Sequence, residues 1–314
     1  MTVAFRAATE DDREALLAFS TSEPVAWIGP DRYRAESGTD NYRPEWSWLA
    51  VRDGRPVARA LWWGGTDAAA PSTLDDLLVA PDVTDDDRVS IAAGLITAGT
   101  AAFGVVPEWI VDVAVDWHDD PAAVAAVSWR TAAARSAGLG RSTERVSVAW
   151  TPERAGAPVP MPSQTPALRF RAGDDDEFAD LFARVAVGSL DAHTVASVDE
   201  LGPRGAAADD LEFYRSLPGS RDGWRVALDA DGPVVGFVLA TRTAYDAAIS
   251  FIGVLPQHRG RGVVDGLLAE GLRVHAEAGE PKVVGTTDAA NTPMRRAFER
   301  AGFVVTKRRI VFER

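Results

Sequence analysis

The residues best suited to chemistry lie in one run, Phe251-Ile252-Gly253-Val254-Leu255-Pro256-Gln257-His258-Arg259-Gly260-Arg261-Gly262-Val263. An apolar strand ends at Pro256, and a glycine-rich basic loop follows. A helix then opens, with apolar residues at Val264, Leu267, Leu268, Leu272 and Val274. Strand, glycine loop and helix N-terminus make an anion site, because successive backbone N–H groups converge and the helix dipole adds partial positive charge. Gly260 and Gly262 carry no side chain, so phosphate oxygens can approach the main chain. Arg259 and Arg261 add charge in an otherwise acidic chain. The spacing is not the G-x-G-x-x-G of a dinucleotide fold, and no Gly-Lys-Ser/Thr follows as in a P-loop.

A second run lies downstream, from Thr287-Asp288 through Asn291-Thr292-Pro293-Met294 to Phe298 and Ala301-Gly302-Phe303. Thr292 is suited to cap a helix and Pro293 to its first position. Met294, Ala297, Phe298 and Ala301 form one stripe at helical spacing. Together the two runs resemble the cofactor motifs of the GNAT superfamily of N-acetyltransferases. Gln257-His258-Arg259-Gly260-Arg261-Gly262 is similar to its Q/R-x-x-G-x-G/A signature, and Asn291 before a helix ending in Gly-Phe is similar to its second motif. The likeness is best from Phe251 to Phe303 and extends over roughly Arg169–Arg314.

The resemblance implies acetyl-CoA as cosubstrate. Its pyrophosphate would lie on the amides of Arg259–Val263. Its pantetheine arm would run between the strand ending at Val254 and the strand Val283–Thr287. The Val254 N–H would face the thioester oxygen and stabilise an oxyanion. The cofactor contacts expected in this way are Ile252, Val254, Gln257, His258, Arg259, Gly260, Arg261, Gly262, Val263, Asn291 and Phe298. Two departures stand out. Many members carry a tyrosine in the last helix as proton donor, where this chain has Phe298. Many place a glutamate on the strand before the loop, and Ala247–Val254 contains no acid. Asp288 is the expected replacement, with Asp246, Glu212, Tyr214 and His193 as further candidates.

The elements that must position these residues occur twice. Val3–Arg6 and Leu168–Arg171 open two halves, each followed by an acidic cluster that starts a helix, Thr9–Asp12 and Asp174–Glu177. Each half then has a hairpin signal at Asp-Gly, Asp53-Gly54 and Asp231-Gly232. A strand follows, ending in Leu78-Val79-Ala80-Pro81 or Gly253-Val254-Leu255-Pro256, then helix, strand, helix and strand. The order β-α-β-β-β-α-β-α-β predicts an α/β chain of two tandem GNAT-like domains, each a mixed, mostly antiparallel sheet flanked by helices. The expected boundaries are 1–150, a proline-rich linker at 151–166, and 167–314. Where the second half has arginine and glycine, the first reads Asp82-Val83-Thr84-Asp85-Asp86-Asp87-Arg88, whose carboxylates would repel a pyrophosphate. The first half thus reads as degenerate, a tandem layout similar to that of the mycothiol synthases. Nine of ten tryptophans lie in the first half, which suits either its core or an interface.

Composition narrows the function classes. The 314 residues carry a formal charge of −13, which disfavours a nucleic-acid partner and suits a cationic small substrate. There is no cysteine, so disulfides, thiolate ligands and a cysteine nucleophile are excluded. No apolar run is long enough to span a membrane, and Met1–Arg6 lacks the layout of a signal peptide. The expectation is a cytoplasmic N-acetyltransferase acting on a primary amine of a small molecule, with no metal and no membrane partner. Another acyl-CoA, a peptide acceptor, or a non-catalytic acyl-CoA-binding regulator are the alternatives.

Overall fold

The computed structural model describes residues 2–152, 167–219 and 221–314, so the predicted linker lies almost wholly outside the described residues. The chain forms two compact units, one of residues 1–144 with 307–314, the other of residues 145–306. The sequence boundaries at 150 and 167 differ from these units by one strand at each end. The last strand of each half completes the sheet of the other unit, an exchange that no local pattern in either strand announces.

In the first unit β1 (Val3–Ala7), β2 (Ser47–Arg52), β3 (Arg55–Trp63), β4 (Thr73–Val79), β5 (Glu108–Val113) and the end of β12 (Val304–Glu313) lie in that order. All neighbours are antiparallel except β4 and β5. Asp53 and Gly54, at φ 51° and 78°, make the β2–β3 turn, and two positive φ values define the type I′ hairpin predicted from Asp-Gly. The helices are α1 (Arg13–Ala18), α2 (Pro30–Ser37), α3 (Asp85–Phe103) and α4 (Pro121–Ser136). Trp46, Trp48, Trp62, Trp109 and Trp117 are buried in this unit's single core cluster.

In the second unit β7 (Arg169–Arg171), β8 (Trp224–Leu228), β9 (Val234–Arg242), β10 (Ala247–Val254), β11 (Val283–Asp288) and the end of β6 (Arg141–Trp150) repeat the arrangement. Only β10 and β11 run parallel. On one face α7 (Val263–Glu277) and α8 (Thr292–Arg300) pack through Leu267, Leu268, Leu272 and Phe298. On the other, α5 (Asp175–Ala186) and α6 (Ala192–Ser216) pack through Phe178, Leu181, Phe182 and Ala207. Gly202, at φ 72°, breaks α6 and turns its second stretch. The fourth strand of each unit carries one extra residue four positions before its end, Asp75 in β4 and Ser250 in β10. Such bulges bend and twist a strand away from its neighbour.

Candidate functional site in the second unit

The β10 bulge has a direct consequence for β11. The two strands pair only at Ala247↔Val283 and Ala248↔Val284. Beyond that β11 stays with β6, from Val283↔Trp150 to Asp288↔Arg145, and β10 stays with β9. A wedge therefore opens between two parallel strands. The antiparallel ladder decides which groups face it. The Leu255 amide donates to the Val235 carbonyl at 2.9 Å, so the pairs that share hydrogen bonds with β9 are 255/235 and 253/237. The amides of Ile252 and Val254 point the other way, into the wedge. Their side chains pack with the α7 cluster, whereas Phe251 packs with the cluster of α5 and α6.

At the end of the wedge the chain makes a short 3₁₀ turn, Pro256–His258, and then enters α7. Gly260 and Gly262 sit at φ 72° and 75°, a region that costs other residues about 1–2 kcal/mol. Among the described residues no acceptor meets the amides of Gly260, Arg261, Gly262, Val263 and Val264. Five free N–H groups at one helix N-terminus form a cradle for an anion. Gln257, Gly260 and Arg261 are exposed and His258 is half-buried. The Arg261 side chain has no hydrogen bond or ion pair among the described residues.

Arg259 behaves differently from the sequence expectation that its charge is aimed at a phosphate. Its guanidinium donates to the carbonyls of Val185 (2.7 Å), Val187 (2.9 Å), Gly188 (2.8 Å) and Val254 (3.1 Å). Burial among them lowers its pKa. Arg259 is a brace that fixes the loop to the end of α5. Asp265, in the first turn of α7, would oppose an anion there, but Arg300 of α8 holds its Oδ1 at 2.7 and 3.0 Å. The same pair locks α8 onto α7.

Asn291 is the cap of α8, in place of the predicted Thr292. Its Oδ1 accepts from the Met294 amide at 3.2 Å, and Pro293 becomes the second helical residue. Phe298 is buried, its ring 4.9 Å from that of Phe303 and pressed on Gly285 of β11. A Cβ on Gly285 would lie 2.9 Å from the Phe298 Cζ, so the ring uses the space this glycine leaves. A tyrosine hydroxyl would extend from that Cζ, in a buried position already packed against Gly285 and Phe303. We expect Phe298→Tyr to lower stability by about 1–3 kcal/mol and to leave turnover no faster, as read by thermal melting and thiol release.

The expected acid–base residues scatter. Asp288 is buried, and Oδ2 accepts from the Ala192 amide at 2.7 Å while Oδ1 lies 3.3 Å from Arg145 Nε. It anchors the start of α6, and both oxygens are engaged. Asp246 pairs with Lys282 at 3.0 Å at the start of β10, the opposite end from Val254. Glu212 is exposed on α6. Tyr214 stacks on Phe182 (5.6 Å) and meets Phe251 (5.5 Å); burial and the nearby Asp210 and Asp191 raise its pKa, so it stays a phenol. His193 stands in the first turn of α6, near Asp210.

Asp210 escaped the sequence reading. Burial, together with Asp191 and Asp209, pushes its pKa up to about 6, against the pull of His193. Its only sequence signal is Asp209-Asp210 on a helix that also carries Tyr214. The Gly202 break brings this stretch back to the start of α6, which Asp288 ties to the end of β11. No group of His, Asp and Glu suited to a metal ion is found among the described residues.

Residues 194–303 match the model of the acetyltransferase (GNAT) family. The chain is 29% identical over 282 residues to a mycothiol acetyltransferase of Clavibacter sepedonicus, covering 87% of this chain and 86% of that one. Among solved structures it is similar to a GCN5-related N-acetyltransferase from Sphaerobacter thermophilus, with a TM-score of 0.57 and 19% identity, covering 98% of this chain and 94% of the other. That likeness bears on the fold alone.

Proposed function

From the premise that residues 194–303 form a GNAT acetyltransferase domain, we propose that this protein moves an acetyl group from acetyl-CoA to a primary amine of a small molecule, in the second unit alone. The observation that carries the reading is the wedge between β10 and β11, with a cradle of free amides at its open end. The cradle of Gly260–Val264 takes the pyrophosphate, helped by Arg261. Pantetheine, which carries two amides, lies against Ile252 and Val254 as an added strand. The Val254 amide stabilises the oxyanion. Asn291 and His258 border the arm, and Phe298 supports β11 from below. The amine nitrogen attacks the thioester carbon, the C–S bond breaks, and CoA leaves as a thiolate that water protonates.

Asp210 replaces Asp288 in this reading as the group that takes the amine proton. It lies on the α5–α6 side of the sheet, beyond Phe251, whereas the loop that holds the cofactor leads into α7 on the other side. Asp191 and Asp209 favour a cationic amine there. A base must be ionised to act, so kcat/KM should fall as pH drops below about 6. Asp210→Asn should lose roughly 10²–10⁴-fold in rate together with that acidic limb, at unchanged affinity for CoA.

The first unit supports a single cofactor site by contrast. In place of the cradle, Thr84 caps α3 by accepting from the Asp87 amide, and Asp85, Asp86 and Asp87 fill its first turn. Calorimetric titration with CoA should give one site per chain. Thiol release from acetyl-CoA against a panel of amines, with mycothiol-type acceptors included because of the Clavibacter relative, tests the reaction. CoA binding without release on any amine would favour the regulatory alternative.

A further inference from the structure

The first unit has a wedge of its own, and its own chain lies in it. Pairing of β4 with β5 stops at Leu74↔Trp109. The opposite edge of β5 is taken by β12 up to Val113. Yet Val25 bridges Val113 antiparallel, and the Ala26 amide donates to the Asp112 carbonyl at 2.8 Å. Since β12 holds one edge, these contacts lie on the edge that β4 has left. Both ends of the segment are tied down. Glu23 Oε1 accepts from Arg88 at 3.1 Å and from the Trp129 indole at 2.9 Å, and Oε2 lies 2.7 Å from Arg130. The Ile28 carbonyl accepts from Arg59 at 2.5 Å. Val25 and Ile28 are buried. In the second unit the chain near the same level of β11 meets only a side chain, with Ala192 donating to the Asp288 carboxylate. Its main-chain edge has no such bridge among the described residues.

We propose that residues 23–28 are a tethered ligand of the first unit. They form a strap that fills the wedge permanently, excludes a CoA arm from it, and holds β5, α3 and α4 together in the cofactor's absence. The Ala26 hydrogen bond to Asp112 and the bridge of Val25 to Val113 occupy the strand edge that an extended ligand would use. The Glu23 carboxylate satisfies Arg88, Arg130 and Trp129, which would otherwise face a gap. The inference rests on the acetyl-CoA reading only for the identity of what is excluded.

Hydrogen exchange on the full chain, with and without CoA, tests it. Amides of 22, 23, 25–28 and 110–113 should exchange at least about tenfold more slowly than an exposed loop, whether or not CoA is present. Ala26→Pro removes the donor to Asp112, and Glu23→Gln removes the charge while keeping the shape. Each should speed exchange at both sites by about tenfold or more and leave one CoA site per chain. Loop-rate exchange of the strap in the unaltered chain, unchanged protection in both variants, or slowing of first-unit amides by CoA would overturn the proposal. A chain that binds no CoA but keeps a protected strap would remove the acetyltransferase reading and leave this one standing.

Discussion

Gly260→Glu should abolish CoA binding in a chain that still folds. An added Cβ at Gly260 meets no atom within 4 Å, so a side chain can start there without a clash at its first atom. The backbone strain at φ 72° is about 1–2 kcal/mol, which a folded domain tolerates. The carboxylate, however, stands at the cradle where phosphate oxygens would lie. Two like charges about 4 Å apart near a protein surface repel by roughly 4 kcal/mol, equivalent to a loss of about a thousandfold in affinity. Gly260→Ala shares the strain without the charge and serves as the control, with affinity expected within about tenfold of the parent, a margin of about 1.4 kcal/mol. Calorimetric titration and thermal melting of the three proteins decide the matter. Full affinity in the glutamate variant would mean the loop is only a turn.

The largest effect on stability is expected at Arg59→Ala. Arg59 is fully buried and lies 2.6 Å from the buried carboxylate of Asp76, and it also donates to the carbonyls of Leu16 and Ile28 at 2.5 Å each. Burial raises the pKa of Asp76, and Arg59 is the main influence opposing that rise. Truncating the arginine strands a carboxylate and two carbonyls in the core, which costs about 3–5 kcal/mol. The sign with pH follows from the direction of the shift. A carboxyl with a raised folded pKa favours the fold while protonated, and that contribution is lost as pH rises through the folded value. The deficit of Arg59→Ala should therefore shrink in acid and widen towards neutrality, as urea midpoints across pH would show. Arg59→Met with Asp76→Leu removes both charges and should recover the part of the loss due to the stranded carboxylate, while the Leu16 and Ile28 carbonyls still lack their donor. Affinity for CoA should not change in either protein.

The sequence made the loop legible because its signals are local. Glycine at positive φ, a basic run and a helix start all lie within a few residues of Gly260. Side-chain direction was not legible in the same way. Nothing local distinguishes Arg261, which has no side-chain partner among the described residues, from Arg259, which turns back to Val185, Val187 and Gly188 across more than seventy positions. The role of Asp288 was hidden likewise, because its partners Ala192 and Arg145 are remote in sequence. Asp210 depends on a fold-back at Gly202 that Leu201-Gly202-Pro203 suggests only as a break. The strap lies in Thr21–Gly29, whose Ser, Pro and Gly read as an ordinary loop. Its meaning comes from the edge of β5 beside it. Phe298 was read correctly as a residue of the apolar stripe, while the space it fills is set by Gly285 on another element.

The exchanged last strands bear on how the polypeptide is made. Residues 1–144 leave the ribosome early, but β5 has no neighbour on its outer edge until Arg308–Phe312 have been synthesised. During that interval Trp109-Ile110-Val111 forms the exposed rim of an unfinished sheet, the kind of edge that recruits strands from other chains. The unit that emerges first is thus the one that must wait, and its completion is tied to translation of residues 308–312. A truncation or a fusion near residue 307 would be felt at Trp109, whose ring lies 5.3 Å from that of Phe312, before it was felt at the Gly260–Val264 cradle closer to it in the chain. Removing the tail would injure the unit without the cradle and spare the strands that carry it.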